Sequence, residues 1–276
     1  MPGLWDYNGM RVVVSGGGGA GMGAATVTEL VTLGAEVHVI DLKEPPVQVA
    51  SHQAVDLKDP DAAAAAIDKI GSTINALFNC AGLPGPPFSD LDTMILNFVA
   101  MRHLAELCAE KMTIGGAIAS ISSTAGSGYM ANIAKWMPLI TTNGFAEAKQ
   151  WCEEHPDEIA SGYVPSKEAI CVWTLHSAIE FAKRDIRVNC ISPGPTDTPM
   201  MPAFEDFAGK EMIDTFAQGA GRRSTPEEQA YPLIFLNSRA ASYVSGENFV
   251  TDGGTLGALT TGALTLSFDP AENNLV

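Results

Sequence analysis

Along most of the chain, short runs of β-branched and apolar residues alternate with longer stretches whose apolar positions recur at helical spacing. Met10–Ser15 (MRVVVS) is such a run, closed by glycines, and has the pattern of a strand buried on both faces. From Gly21 to Leu33, Val27, Leu30 and Val31 share one helical face, and Gly34 supplies the stop that a left-handed cap favours. Glu36–Asp41 then reads as a second strand. Strand, glycine turn, helix and strand fill about 30 residues, the size of one βαβ unit. Further helices are predicted over Ala62–Ile70, Leu91–Met112, Gly162–Arg184 and Pro226–Asn237, and further strands over Ile74–Cys80, Ile114–Ser122, Ile186–Ile191 and Asn248–Val250. No internal repeat or low-complexity linker interrupts this order. It predicts a single α/β domain over residues 1–276, with a doubly wound parallel sheet covered by helices on both faces.

Two segments break the alternation. Tyr129–Ala160 carries Trp136, Met137, Leu139, Ile140, Phe145 and Trp151, too apolar for disorder, with a short helix expected over Asn143–Glu154. Thr255–Val276 begins apolar and ends polar, and its end is expected to fray.

Composition narrows the partners. The formal charge of -16 sets the surface against phosphate backbones and anionic membranes, and weighs mildly against a cofactor with an additional phosphate. No apolar stretch reaches the roughly 20 residues of a membrane helix. The N-terminus lacks the basic start and apolar run of a signal peptide, so cytoplasmic residence is expected. The five cysteines (Cys80, Cys108, Cys152, Cys171, Cys190) are scattered, show no metal-ligand spacing and read as reduced packing residues; no metal is expected.

The turn Ser15–Gly23 lies between the first strand and the first helix, where backbone N–H groups and a positive helix end can meet a pyrophosphate that side chains would block. Asp41 closes the second strand about 20 residues beyond Gly21, where a carboxylate can accept bonds from ribose hydroxyls and would repel a 2′-phosphate. The turn itself holds no Arg or Lys, although Lys43 is close by. NAD is therefore expected over NADP.

Tyr163 and Lys167, four residues apart at the start of a predicted helix, share one helix face. A phenol titrates near pH 10, too high for a proton acceptor at neutral pH, and a nearby ammonium together with an oxidised nicotinamide ring would lower that value. Such a tyrosine can take an alcohol proton or return it. Asn79–Gly82, Ile121–Gly126 and Pro193–Thr198 each follow a predicted strand, and ligands in open parallel sheets bind beyond the carboxyl ends of strands.

Together these elements resemble the short-chain dehydrogenase/reductase family, from about Met10 to Gly254, and so a Rossmann-type sheet. The family's TGxxxGxG turn is matched by Gly17, Gly21 and Gly23 with Gly16 in place of the threonine; alternatively Ser15–Gly16 opens it with one residue inserted. NNAG appears as NCAG, with Asn79, Ala81 and Gly82 in place, and the helix asparagine falls on Asn97. The serine of SSxAG falls on Ser123, the YxxxK pair on Tyr163 and Lys167, and the acid pair beside adenine on Asp56 and Leu57. PGxxxT gives Pro193, Gly194 and Thr198, and the closing DGG is Asp252–Gly254. Ser15, Met22 and Thr196 lie within these elements and join the cofactor-binding candidates.

The resemblance implies Tyr163 as general acid/base, Lys167 as ribose ligand and modulator of the phenol, and Ser123 as the group that polarises the substrate oxygen. Asn97 would hold a water linking Lys167 to solvent, and Thr198 would orient the carboxamide or cap the following helix. Tyr129–Ala160 widens the interval between serine and tyrosine motifs, as in a subgroup resembling bacterial 3α-hydroxysteroid dehydrogenase/carbonyl reductases. The insertion is expected to roof the substrate pocket with Met200, Met201 and Phe204, which predicts a bulky alicyclic, steroid-like or aromatic alcohol or ketone; alternatively Trp136 and Trp151 only pack it onto the body. A homo-oligomer, dimer or tetramer, is expected. The rivals are an NADP-dependent ketoacyl or carbonyl reductase, a non-catalytic dinucleotide sensor, and another Rossmann enzyme such as a methyltransferase.

Overall fold

Seven parallel strands form one sheet in the computed structural model, which describes residues 3–265. They are β1 (Arg11–Ser15), β2 (Glu36–Ile40), β3 (Ser51–Gln53), β4 (Ile74–Asn79), β5 (Met112–Ile121), β6 (Arg187–Pro193) and β7 (Asn248–Thr251), in the spatial order β3-β2-β1-β4-β5-β6-β7. The helices are α1 (Met22–Thr32), α2 (Pro60–Ile70), α3 (Asp90–Met94), α4 (Met101–Lys111), α5 (Ile133–Ile140), α6 (Gly144–Glu154), α7 (Tyr163–Ala182), α8 (Met201–Ala208), α9 (Lys210–Thr215), α10 (Pro226–Asn237) and α11 (Thr255–Thr261). The chain winds outward from β1 to β3, then returns to place β4 on the other side of β1. That reversal opens a crevice at the carboxyl ends of β1 and β4.

The sheet is buried on both faces, which is why its central strands read as unbroken apolar runs. One face packs α2, α4, α7 and the helices of the Tyr129–Ala160 insertion around Ile67, Phe98, Leu104, Trp136 and Trp173. The other packs α1 and α10 around Tyr7, Val27, Leu30, Phe78 and Leu233.

Four features differ from the sequence expectation. β3 was not foreseen, because three polar residues at a sheet edge leave no apolar signature. The expected Leu91–Met112 helix is divided by a π-helical turn over Ile95–Ala100, with Asn97 inside it. α8 and α9 follow β6, and the tail begins as α11; the expected fraying at its end falls on residues 266–276, outside the described residues.

The insertion holds two helices, the second close to the expected Asn143–Glu154, and it belongs to the core. Trp136, Leu139, Ala148 and Cys152 are fully buried. The Trp136 indole donates to Glu168 Oε2 at 2.7 Å, and Asn132 Nδ2 bonds both Glu168 oxygens at 2.9 and 3.0 Å. Arg102, also buried, donates to the carbonyls of Leu139 (3.2 Å), Ile140 (3.4 Å) and Gly144 (2.7 Å) and to Thr142 Oγ1 (3.0 Å). One guanidinium thereby ties the end of α5 and the start of α6 to α4.

Candidate active site

The end of β1, the end of β4 and the start of α1 meet with no room for side chains. A Cβ on Gly16 (φ +70) would lie 2.4 Å from the Ala81 amide nitrogen, and one on Gly23 would lie 2.1 Å from the Gly16 carbonyl oxygen. The hydroxyl that braces this turn is that of Ser15, which donates to Asn79 Oδ1 at 3.4 Å, while Asn79 Nδ2 donates to Ser120 Oγ at 3.2 Å. Ser15 and Gly16 therefore open the turn, and Gly17 packs beneath it, where a Cβ would come within 2.7 Å of Val27. Gly21 stands at the N-cap of α1 with φ 129, a backbone that glycine adopts freely.

Asp41 lies beside the turn, as expected. Its Oδ2 accepts the Gly18 amide and its Oδ1 the Lys43 amide, both at 2.8 Å. Lys43 flanks the same turn, its Cδ 3.2 Å from where a Cβ on Gly19 would stand. Asp56 is exposed and accepts the Lys58 amide at 3.0 Å, whereas the Leu57 side chain is buried in the core, leaving only its backbone towards a ligand.

A cavity of about 260 Å³ opens beyond the carboxyl ends of β4, β5 and β6. It brings together Met22, Ala81, Gly82, Ser123, Tyr163, Lys167, Pro193, Gly194, Thr196 and Thr198 of the expected residues. Ser15, Gly17, Gly21, Gly23, Asn79 and Asn97 shape its surroundings without lining it. The opposite wall is apolar: Met200, Met201, Phe204, Met212, Ile213 and Phe216. No residue of Tyr129–Ala160 lines the cavity, which corrects the expectation that the insertion roofs it. Its large apolar side chains are taken up against α4 and α7, and α8 and α9 make the wall instead.

Tyr163 starts α7 and is half-buried, with Phe204 edge-on at 4.9 Å between ring centres. Lys167, one helical turn on, donates to the Ile121 carbonyl at 2.9 Å and lies 5.4 Å from the Tyr163 ring centre. Burial pushes the Tyr163 phenol above its ordinary value, and a hydrogen bond with Ser123 draws it partly back. Burial lowers the Lys167 ammonium to about 8, opposed by the nearby Cys171, Cys190 and Cys80 thiols. In the protein without cofactor, desolvation is the larger influence on the phenol; the expected lowering was for Lys167 together with an oxidised nicotinamide ring.

The Asn97 carboxamide is fully engaged: Oδ1 accepts the Leu83 amide at 2.7 Å, and Nδ2 donates to the Leu83 carbonyl (3.0 Å) and Ser166 Oγ (3.1 Å). Thr196 Oγ1 donates to the Gly194 carbonyl at 3.0 Å and pairs with Ser224 Oγ at 2.8 Å. α8 begins at Met201 without a side-chain cap, so Thr198 does not cap it. A bare glycine shelf, the start of an 11-residue helix and a polar loop after β6 are what a dinucleotide needs from its site, and these residues fit one. Among the described residues no cluster of His, Cys, Asp and Glu has metal-binding geometry, and no helix is long and apolar enough to cross a membrane.

The family model described as short chain dehydrogenase matches residues 11–136, and one described as Enoyl-(Acyl carrier protein) reductase matches residues 153–255. The chain is 30% identical over 245 residues to the coniferyl-alcohol dehydrogenase of Pseudomonas sp. (strain HR199 / DSM 7063), covering 88% of this chain and 95% of that one. The chain belongs to the short-chain dehydrogenase family. Within it, this dehydrogenase is 30% identical over 250 residues to the 3-alpha-hydroxysteroid dehydrogenase/carbonyl reductase of Comamonas testosteroni, covering 89% and 96% of the two chains. The 3-alpha-hydroxysteroid dehydrogenase from Pseudomonas sp. B-0831, solved in complex with NADH, has the same fold, with a TM-score of 0.73 at 24% identity over 92% of this chain and all of that one. Members of this oxidoreductase family bind a nicotinamide dinucleotide.

The sequence reading of this short-chain dehydrogenase missed Leu83, Met212, Ile213 and Phe216, which line the cavity. Met212, Ile213 and Phe216 stand at helical spacing and could have been found as one apolar face. Leu83 follows the NCAG element, with no signal of its own.

Proposed function

We propose that this dehydrogenase uses NAD to interconvert a secondary alcohol and a ketone, on a bulky apolar substrate of alicyclic, steroid-like or aromatic character, with Tyr163 as general acid/base. The observation that carries this reading is that Tyr163, Lys167 and Ser123 meet in one cavity whose other wall is methionine and phenylalanine. The glycine turn would hold the pyrophosphate, Asp41 the adenosine ribose, Asp56 and the Leu57 backbone the adenine side, and Pro193–Thr198 the nicotinamide end. The cofactor, when bound, supplies the hydride acceptor. Ser123 holds the substrate oxygen; Tyr163 takes the alcohol proton at its phenolic oxygen and returns it in the reverse direction. Lys167 binds ribose and holds positive charge near the phenol. Because the Asn97 carboxamide is committed to Leu83 and Ser166, Asn97 would serve the proton path to solvent through its main-chain carbonyl, inside the π-helical turn.

Relatives named for coniferyl alcohol, a hydroxysteroid and cyclohexanol are in keeping with this substrate class. Lys43 beside the glycine turn favours a second reading, an NADP-dependent carbonyl reductase. Both are tested by one screen of cyclohexanols, hydroxysteroids and aromatic carbinols with NAD and with NADP, followed at the nicotinamide absorbance band. Oxidation of bulky secondary alcohols with NAD is expected; activity confined to NADP, or to small polar alcohols, contradicts the proposal. Cytoplasmic residence and a homo-oligomer are part of the same reading; the exposed Phe249 and Val250 on the edge strand β7 support the oligomer, which light scattering checks.

A further inference from the structure

α8 and α9 are poorly held by burial. α8 buries only Met201, and α9 buries none of its residues. Helices this short are not stable by themselves. Their apolar side chains face the cavity, so hydrophobic packing of this wall is complete only when the cavity is filled.

One guanidinium ties a carboxylate of each of these helices to the body. Arg223 Nη2 meets Glu205 Oε1 of α8 at 2.6 Å, and its Nε donates to Asp214 Oδ1 of α9 at 2.7 Å. Its Nη1 stands 3.7 Å from Asp197, in the loop that carries Thr196 and Thr198. The side chain is only 13% exposed, so these pairs are less screened than ordinary surface ones. The mounting is rigid. Ser224 donates its amide to the Pro195 carbonyl at 3.0 Å and accepts the Asp197 amide at its own carbonyl at 2.9 Å. Thr225 then caps α10 in a reciprocal box with Glu228. Arg222, next in sequence, adds to this mounting: it pairs with Glu228 and donates to the Arg223 carbonyl at 3.0 Å.

We propose that Arg223 is a positioning and specificity-determining residue, a latch that fixes the α8–α9 wall over the cavity through Glu205, Asp214 and Asp197. The inference rests on the reading of that cavity as the substrate site. Glu205 adjoins Phe204, which packs edge-on against Tyr163, and Asp214 adjoins Ile213, so the latch sets where the wall meets substrate. A planar fork can bond two carboxylates and face a third, which an ammonium cannot reproduce. With its donors directed at carboxylates, Arg223 is not available to an anionic substrate.

The test compares the unaltered protein with Arg223→Gln, Arg223→Lys, Glu205→Gln and, as control, Lys183→Gln, which removes an exposed charge paired with Glu180 on α7. Hydrogen exchange of the amides of residues 201–216 needs no substrate; it should quicken about ten-fold or more in Arg223→Gln and Glu205→Gln, and less in Arg223→Lys, while Lys183→Gln leaves it unchanged. In turnover of a bulky secondary alcohol with NAD, KM should rise about ten-fold in Arg223→Gln with kcat within about three-fold, and Arg223→Lys should recover part of it. Unchanged exchange over 201–216 overturns the latch, as does a KM effect confined to carboxylated substrates, which would mean that Arg223 binds substrate itself. If Arg223→Gln fails to fold, Glu205→Gln decides, since among the described residues that carboxylate pairs with no cation but Arg223. Absence of alcohol oxidation by the unaltered protein would defeat the functional reading instead, and the exchange measurement would still decide the latch.

Discussion

The ammonium nitrogen of Lys167 stands 5.4 Å from the centre of the Tyr163 ring and gives its hydrogen bond, 2.9 Å long, to the carbonyl of Ile121. Burial acts on both groups in favour of their neutral forms, raising the phenol and lowering the ammonium to about 8. A cationic nicotinamide ring in the same cavity would reverse the balance for the phenol, since a nearby positive charge favours phenolate. Bound NAD should therefore lower the Tyr163 pKa relative to the free protein. The phenolate difference spectrum, unaltered protein minus Tyr163→Phe, with and without NAD, measures this. Identical titrations in the two states would contradict it.

Lys167 also makes a prediction about stability. Its folded value near 8 lies below the ordinary 10.5, so between these two values the unfolded chain binds the proton that the folded chain has released. Stability from this group therefore rises with pH across that window, and below it the buried charge is destabilising. The stability of Lys167→Met relative to the unaltered protein should be greater at pH 7 than above pH 10.5 by about 3 kcal/mol, with activity lost. Urea unfolding at a series of pH values checks the sign.

Asp41 accepts two amides of its own loops, and in the proposed function it also holds the adenosine ribose. Asp41→Ala should weaken NAD binding about ten-fold or more and narrow the preference over NADP, because the repulsion of a 2′-phosphate is lost while Lys43 remains. Calorimetric titration with both cofactors checks this. Unchanged NAD affinity would make Asp41 only a brace of the glycine turn.

For the insertion, the geometry separates stability from catalysis. Arg102→Met removes the hydrogen bonds that tie the end of α5 and the start of α6 to α4 and should destabilise the protein by about 3 kcal/mol. KM should stay the same for small and bulky substrates, because Tyr129–Ala160 does not line the cavity. Denaturation and kinetics on the same preparation separate the two effects.

The sheet was legible because strands such as Val12–Val14 and Leu77–Phe78 are buried on both faces and leave unbroken apolar runs. β3 was not, since Ser51, His52 and Gln53 carry no such run. At the site, spacing disclosed Tyr163 and Lys167, and the strand-end motifs disclosed their neighbours. Spacing does not report burial, however, so the upward shift of the phenol went unread. Trp136 and Trp151 suggested a roof because an apolar loop must cover something; what they cover is the outer side of α7, where Glu168 receives the Trp136 indole. The wall that does face Tyr163 lies on α8 and α9, whose methionines and phenylalanines belong to no motif.

The most direct test of proton transfer by Tyr163 is the kcat of Tyr163→Phe with NAD and a secondary alcohol that the unaltered protein oxidises well. The account predicts a fall of about a hundred-fold to ten-thousand-fold, with fold and NAD affinity retained. Undiminished turnover in a folded variant would contradict it.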